Sequence, residues 1–379
     1  DGGQAVVAQV FEMILDQRLL RFVVGHLRPQ LDQQAFAQIA SGANLVAYWH
    51  WHSLHYGQET YWKGILAHDL EPGRAFAEVS RVAAELKRLG PELANLKKES
   101  RVAILYSLDS LHALNAMPFD EGVHYMTVLN QMYRALYRLN LETDFVFPGS
   151  GNLKDYDLIL APPLYVADDG VLDRLAAYVE DGGHLLLSFK SGFCDGHSSV
   201  RTVPAPGPLR QAAGFRYQEF SNLTKPLALK GDPFGAGADN AVSAWAEMII
   251  PESAKALAFY DHPFFGSYPA LTRNAFGKGA LTYLGTFPTD KLFAAILEDT
   301  LEAAGVPVGR RDAPESVKIK RATTAAGRPL AFYLHSSEPA PSFTYAGKEA
   351  AELTSGKIIR TGDALTIGPW DLAILREAP

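Results

Sequence analysis

A single cysteine, Cys194, stands in the 379 residues. That excludes an internal disulfide framework and fits a reducing compartment. No run approaches the ~20 consecutive apolar residues that a membrane span needs. The opening, DGGQAVVAQVFEMILDQRLLRF, lacks the basic n-region and small-residue cleavage site of a signal peptide. Basic charge is in deficit: 35 Lys and Arg against 42 Asp and Glu give a formal charge of −7. This argues against nucleic acid or an anionic membrane as the main partner. Internal repeats and low-complexity segments are absent as well. These absences set the expectation of a soluble, cytoplasmic protein. What is present, 47% hydrophobic and 20% charged residues, is ordinary globular composition with length for two or three full-sized cores.

That composition is unevenly spread. Residues 44–69, NLVAYWHWHSLHYGQETYWKGILAHD, begin with a run, Leu45 to Trp49, that reads as a strand after a Ser-Gly turn. Counting Tyr48 and Trp49 of that run, the stretch holds three tryptophans, three tyrosines, three histidines and one carboxylate, Glu59, before His68 and Asp69 close it. Cores are built mainly from Leu, Ile and Val, whereas aromatic faces beside fixed donors and acceptors suit a sugar. An aromatic-rich core corner is the alternative.

The run YWHWHSLHYGQETYWKGILAHDLEPGRAFAEV closely resembles the end of the catalytic barrel in family 42 glycoside hydrolases, the β-galactosidases. The resemblance implies the eighth barrel strand, its loop and the start of the eighth helix. It also implies that Glu59 binds galactose hydroxyls without breaking the bond, and that Trp51, Trp62 and His55 line the same sugar site. Some members carry a sugar-binding histidine where Trp62 stands here.

Along the chain, residues 5–20 and 32–40 read as helices, the second with Phe36 and Ile39 at helical spacing. Residues 74–89 form a helix whose apolar stripe is Phe76, Val79, Val82, Ala83 and Leu86; Gly90-Pro91 is expected to stop it, and PELANLKK to add a short helical piece. From Ser100, strands (RVAILYS, TDFVF, YDLILAPPL, HLLLSF) alternate with helices (YMTVLNQMYRALYRL, VLDRLAAYVEDGG), which predicts a parallel sheet covered on both faces. Further strands, ALAFYD and ALTYLGTF, and a closing helix, KLFAAILEDTLEAAG, come after a Gly/Pro-rich connection. This region is similar to the family's flavodoxin-like domain, which joins protomers into trimers. The remainder, with VKIKRA, LAFYLH, GKIIR, DALTIG and DLAILRE between glycine turns, predicts a small antiparallel β-sandwich. The expected fold class is therefore α/β: residues 1–98 a remnant of a (β/α) barrel, 99–309 a flavodoxin-like trimerisation domain, and 315–379 a C-terminal β domain.

Retaining glycoside hydrolysis needs two carboxyl groups about 5–5.5 Å apart. The family's acid/base is the Glu of an Asn-Glu pair, and no Asn-Glu occurs in this chain. Its nucleophile ends a phenylalanine-led strand through a Met-Glu pair; FEMILD offers only Glu12 and Asp16, at different offsets. The catalytic residues are accordingly unassigned, with Glu12 and Asp16 as candidates by position alone. An eight-unit barrel takes about 250 residues, and fewer than a hundred precede Ser100. Two readings stay open: a β-galactosidase-type hydrolase needing no cofactor, acting on a β-galactoside as a homotrimer, or a non-catalytic assembly protein with a residual sugar-binding wall.

Other patterns compete less well. His50, His52 and His55 could ligate zinc, but no Cys or acidic ligand sits close by, so no metal is expected. Gly192-Phe193-Cys194-Asp195-Gly196 with His197 imitates a nucleophile elbow, yet the following HSSVRTVPAPGP cannot open a helix. Leu108-Asp109-Ser110-Leu111 reads as a glycine-free turn ill suited to phosphate. Asp155, Asp157, Asp168 and Asp169 read as cap and turn residues.

Overall fold

A computed structural model describes residues 30–98, 100–308 and 313–378. Helix α1 (Gln30–Ala40) buries Phe36, Ile39 and Ala40, the i, i+3, i+4 spacing of one helix face. Helix α2 (Arg74–Leu93) corrects two expectations. It runs through Gly90 and Pro91 instead of stopping before them, and Lys97–Lys98 form a short strand, β1, where a helical piece was expected. Proline removes one amide hydrogen bond near the helix end, while Leu89 and Leu93 on either side of it are buried and hold the last turns in place. Ala83, placed in the expected apolar stripe, is exposed.

The middle of the chain holds strands β2 (Val102–Leu105), β3 (Thr143–Val146), β4 (Leu158–Ala161) and β5 (His184–Ser188). Between them lie helices α3 (Leu108–Ala116), α4 (Tyr125–Arg138) and α5 (Asp169–Glu180). A short helix, α6 (Arg210–Ala213), precedes β6 (Phe215–Arg216), β7 (Phe220–Leu227), β8 (Val242–Glu247) and β9 (Ile250–Pro251). Strands β10 (Lys255–Phe259), β11 (Pro269–Phe276), β12 (Gly279–Leu284) and β13 (Thr286–Pro288) then lead to helix α7 (Asp290–Ala303).

One sheet has the order β10-β11-β12-β5-β4-β2-β3, with β12 to β3 parallel and the β10–β11–β12 edge antiparallel. Strands β2 and β4 are buried at every position, as helices on both faces require. Helix α4 buries Tyr125, Val128, Leu129, Met132 and Leu136 along one face. A second sheet, β13-β8-β7, leaves β7 as its edge strand. Arg101 Nη1 donates to the Gly305 carbonyl at 3.3 Å, so the start and end of this region lie side by side.

The last strands are β14 (Val317–Thr323), β15 (Pro329–His335), β16 (Ser342–Thr344), β17 (Ala350–Glu352), β18 (Ile358–Ile359), β19 (Ala364–Thr366) and β20 (Leu372–Glu377). They form an antiparallel sheet, β1-β14-β15-β20-β17-β18, and a separate β16–β19 ribbon. Alternation along β15 feeds two cores. Leu330, Phe332 and Leu334 meet Phe36, Ile39, Leu89 and Leu93 of α1 and α2. Ala331 and Tyr333 face Tyr345, Leu365 and Ile367. The segments on either side of the middle region, expected from the sequence to be separate domains, therefore group in one compact unit, and residues 100–308 form the other. Among the described residues one sheet is mixed and the others antiparallel, no barrel closes, and no helix is long and apolar enough to cross a membrane.

Candidate functional site

The stretch at 44–69 is a surface loop. Leu45–Trp49 does not form the expected strand. A strand needs a neighbour for its amides and carbonyls, and among the described residues no backbone hydrogen bond engages positions 44–49. Further on the loop is well tied. Ser53 N–H and Oγ both donate to the Leu66 carbonyl, at 2.9 and 3.0 Å, and Ser53 Oγ accepts from Gly64 N–H at 3.1 Å. Ile65 and Leu66 amides donate to the His50 and Trp51 carbonyls at 2.8 and 2.9 Å. A Cβ on Gly64 would lie 2.6 Å from His52 Cα and nearer still to its carbonyl carbon, so the crossing of the two segments requires glycine there.

On this frame the aromatic rings face outward. Trp49 is 87% exposed, Trp51 60% and Trp62 51%, which removes the core-corner alternative for these residues. Trp51 meets Phe76 edge-on with ring centres 6.2 Å apart, and Tyr61 and Trp62 lie 5.3 Å apart. Glu59 and Trp62 are brought together by a turn in which Trp62 N–H donates to the Glu59 carbonyl at 2.9 Å; both side chains are exposed. His55 Nε2 lies 2.6 Å from the His68 carbonyl, and His68 Nε2 lies 2.6 Å from that of Thr60, so both rings brace the loop. No group of three or more metal-ligating side chains is found among the described residues. Glu12 and Asp16 lie outside them.

Three polar atoms at the root of the loop are buried without a hydrogen-bond partner among the described residues: Tyr48 OH, His50 Nε2 and Asp32 Oδ1. Burial raises the Asp32 carboxyl above its ordinary range, with Arg81 2.6 Å away opposing the rise. Beside the loop a cleft of about 460 Å³ is lined by Leu31, Ser53, Gly64, His68, Arg74 and Glu78 among others, and not by Glu59, Trp51 or Trp62.

A second polar centre, given by no sequence pattern, lies in the middle unit. Glu247 is fully buried and accepts from Lys190 N–H at 2.7 Å, Trp245 Nε1 at 3.2 Å and Tyr283 OH at 2.8 Å. Burial pushes its carboxyl up to about 7, against those hydrogen bonds, which favour the anion. Lys190, at φ +59°, places Nζ among Trp245, Tyr165, Phe193 and Phe220, with ring centres at 4.2, 4.9, 5.3 and 5.7 Å. Burial lowers the Lys190 ammonium below its ordinary range.

The remaining sequence candidates resolve locally. Cys194 is fully buried and bridges to Val166 and Val200, with no helix opening after it. Leu108-Asp109-Ser110-Leu111 is the first turn of α3 rather than a free turn. Ser110 N–H donates to Ser107 Oγ at 3.2 Å and Ser107 N–H to Tyr125 OH at 2.8 Å, so these amides are engaged. Asp169 and Asp157 pair with Arg201 and Arg101, more than cap or turn roles demand.

Comparison with known proteins places these features. A family model described as the β-galactosidase trimerisation domain matches residues 100–307, and one described as β-galactosidase matches 26–89. A β-galactosidase of Clostridium cellulovorans is 28% identical over 345 residues, 90% of this chain and 51% of that protein. One from Halorubrum lacusprofundi is 31% identical over 291 residues, 74% of this chain and 41% of its own. The crystal structure of β-galactosidase from Bacillus circulans sp. alkalophilus superposes with a TM-score of 0.84 at 24% identity, over 93% of this chain and 52% of that one. The chain thus spans about half the length of the curated relatives it matches. With the first of those models covering more than half of its residues, the chain belongs to the β-galactosidases of glycoside hydrolase family 42.

Proposed function

We propose that the chain serves in a retaining β-galactosidase, contributing one wall of the sugar site and the unit through which copies associate. The observation that carries this is the loop at 49–62, where exposed indole and phenol rings flank Glu59 in a chain of this family. In this reading Glu59 accepts hydrogen bonds from galactose hydroxyls, Trp51 and Trp62 form the apolar wall, and His55 braces the loop beside them. Tyr48 OH and His50 Nε2 supply buried polar groups at its base. Hydrolysis proceeds through a galactosyl–enzyme intermediate between two carboxyl groups and takes no cofactor. Glu12 and Asp16 are the candidates for that role only by their place in the sequence.

For the middle unit we infer a flavodoxin-like domain. Its order β3-β2-β4-β5-β12 repeats the 2-1-3-4-5 arrangement of that fold, and the trimerisation model over 100–307 supports a homotrimer. The barrel-remnant and β-domain roles of residues 1–98 and 315–379, and action in the cytoplasm, belong to the same proposal.

The test is hydrolysis of a chromogenic β-galactoside by the purified chain, with Glu59→Gln, Glu12→Gln and Asp16→Asn alongside, and galactose binding by calorimetry. Glu59→Ala is expected to weaken binding by about 1.5–3 kcal/mol, the range for a charge-assisted hydrogen bond. Full affinity in that variant removes Glu59 from the site. The absence of Asn-Glu from all 379 residues favours a second reading, a non-catalytic assembly protein with a residual sugar wall. Galactose binding and an intact oligomer without turnover in any variant would select it.

A further inference from the structure

The middle unit carries two apolar features that reach its surface, the first of them rooted in its core through Phe193. The first is a cleft of about 270 Å³ beyond the carboxyl end of β5, lined by Phe193, Val200, Arg201, Val203, Pro204 and Phe220 among others. Val200 and Val203 are more than half exposed and Phe220 is 43% exposed. Arg201 is the one charged residue in the lining; its Nη1 and Nη2 are engaged by Asp169 and the Ala167 carbonyl, and its Nε is buried without a hydrogen-bond partner among the described residues. With that charge compensated, the cleft suits an apolar side chain better than an anion. Its aromatic wall is also fixed, because Phe193 and Phe220 both pack on the Lys190 ammonium and Phe220 stacks on Trp245.

The second feature is convex. Phe264 is 79% exposed on the connection from β10 to β11. That loop has a set conformation. The amides of Phe264 and Phe265 both donate to His262 Nδ1 at 3.2 Å, and Gly266 N–H donates to the His262 carbonyl at 2.8 Å. A Cβ on Gly266 would come within 2.5 Å of the same carbonyl oxygen. The loop therefore presents the Phe264 ring at low entropic cost, as a contact anchor must.

The two features lie at opposite ends of β7. Phe220 begins that strand, and Asp261 N–H donates to the carbonyl of Ala228, just past its end, at 2.9 Å. Eight residues of strand span roughly 25 Å, so Phe264 cannot fill the cleft of its own chain. The edge of β7 is no alternative contact, since its register break between Leu223 and Leu227 contains Lys225 and Pro226, which blunt strand addition. A ring of three identical subunits needs two different complementary patches on each copy, because its contacts are heterologous.

We propose that Phe264 of one copy enters the Phe193–Val203–Phe220 cleft of the next, and that this contact, repeated three times, closes the trimer. The proposal rests on the trimeric reading given above and names the surfaces that make it. Phe264→Asp removes the knob, and Val203→Asp places a charge in the hole; Val200→Asp is a second hole variant. All three positions are exposed, so near-ultraviolet circular dichroism should match the parent, and the thermal midpoint should fall only as far as loss of association lowers it.

Sedimentation equilibrium of the full chain reads the outcome. Each variant alone is expected at the 41.4 kDa protomer mass. An equimolar mixture of Phe264→Asp and Val203→Asp retains one sound knob and one sound hole, and is expected to give a species of twice that mass and no larger. Trimeric variants, or a mixture that stays at protomer mass while the parent is trimeric, overturn this contact and leave the trimer reading standing. A monomeric parent chain overturns both.

Discussion

Glu247→Gln isolates the energetic effect of a buried carboxyl in the middle unit. The parent side chain holds its proton up to about pH 7 when folded, against an ordinary value of 4.5. Below 4.5 the carboxyl is protonated in both states and its burial carries no ionisation penalty. As pH rises, the unfolded chain ionises first while the folded protein keeps the proton, so stability falls through this window and levels off above 7. At ~1.36 kcal/mol for each pH unit separating the two values, the loss amounts to about 3 kcal/mol. Glutamine can occupy the same space. Its oxygen can accept from Lys190 N–H and Trp245 Nε1, and its amide can donate to a Tyr283 hydroxyl turned to accept, in place of the 2.8 Å bond that Tyr283 now donates. Urea unfolding followed by circular dichroism at pH 5, 6, 7 and 8 measures the difference between parent and variant. Because the unfolded carboxyl has begun to ionise by pH 5, that difference should move by about 2.5 kcal/mol in favour of Glu247→Gln between the ends of the series. A difference constant to within about 0.5 kcal/mol would show that Glu247 ionises normally in the fold, and would refute the cost assigned to its burial.

Two further outcomes follow from the same geometry. Gly64→Ala should force the 53–66 crossing apart at about 1–3 kcal/mol, seen as a lower midpoint for the tryptophan fluorescence transition; an unchanged midpoint would show that the His52 backbone can yield. Lys190→Gly keeps the positive φ but empties the four-ring cage, so it should melt below the parent and recover more with tetramethylammonium chloride than with equal sodium chloride, since such cages hold quaternary ammonium ions. Equal recovery in the two salts would mean that the rings do not recognise the cation.

Much of this architecture can be read in the chain. The apolar runs of β2, β4 and β5 announce buried parallel strands, and the spacing in α4 and α7 announces helices, because burial on two faces or on one stripe leaves a direct imprint. The edge strand β7 leaves none: Ser221, Asn222, Thr224 and Lys225 satisfy an exposed position as well as a loop would. Leu45–Trp49 fails the other way, with strand residues and no ladder to join. The rings of the candidate site were evident from their rarity as a group, and so was Glu59, whereas their outward orientation depends on Ser53 and Gly64 holding the loop. Nothing in FKSG or WAEM foretells that Lys190 and Glu247 meet inside the protein, since that pairing exists only once distant strands assemble.

The adjacency of Arg101 and Gly305 carries a consequence for modularity. A segment of about two hundred residues whose two ends lie side by side can be cut out and replaced by a few residues without stretching what remains. On the flanking side, Lys98 pairs with Ala322 across β1 and β14. An ancestral or engineered gene could therefore acquire, exchange or discard the middle unit as a cassette while the aromatic loop and its supporting sheet are inherited untouched.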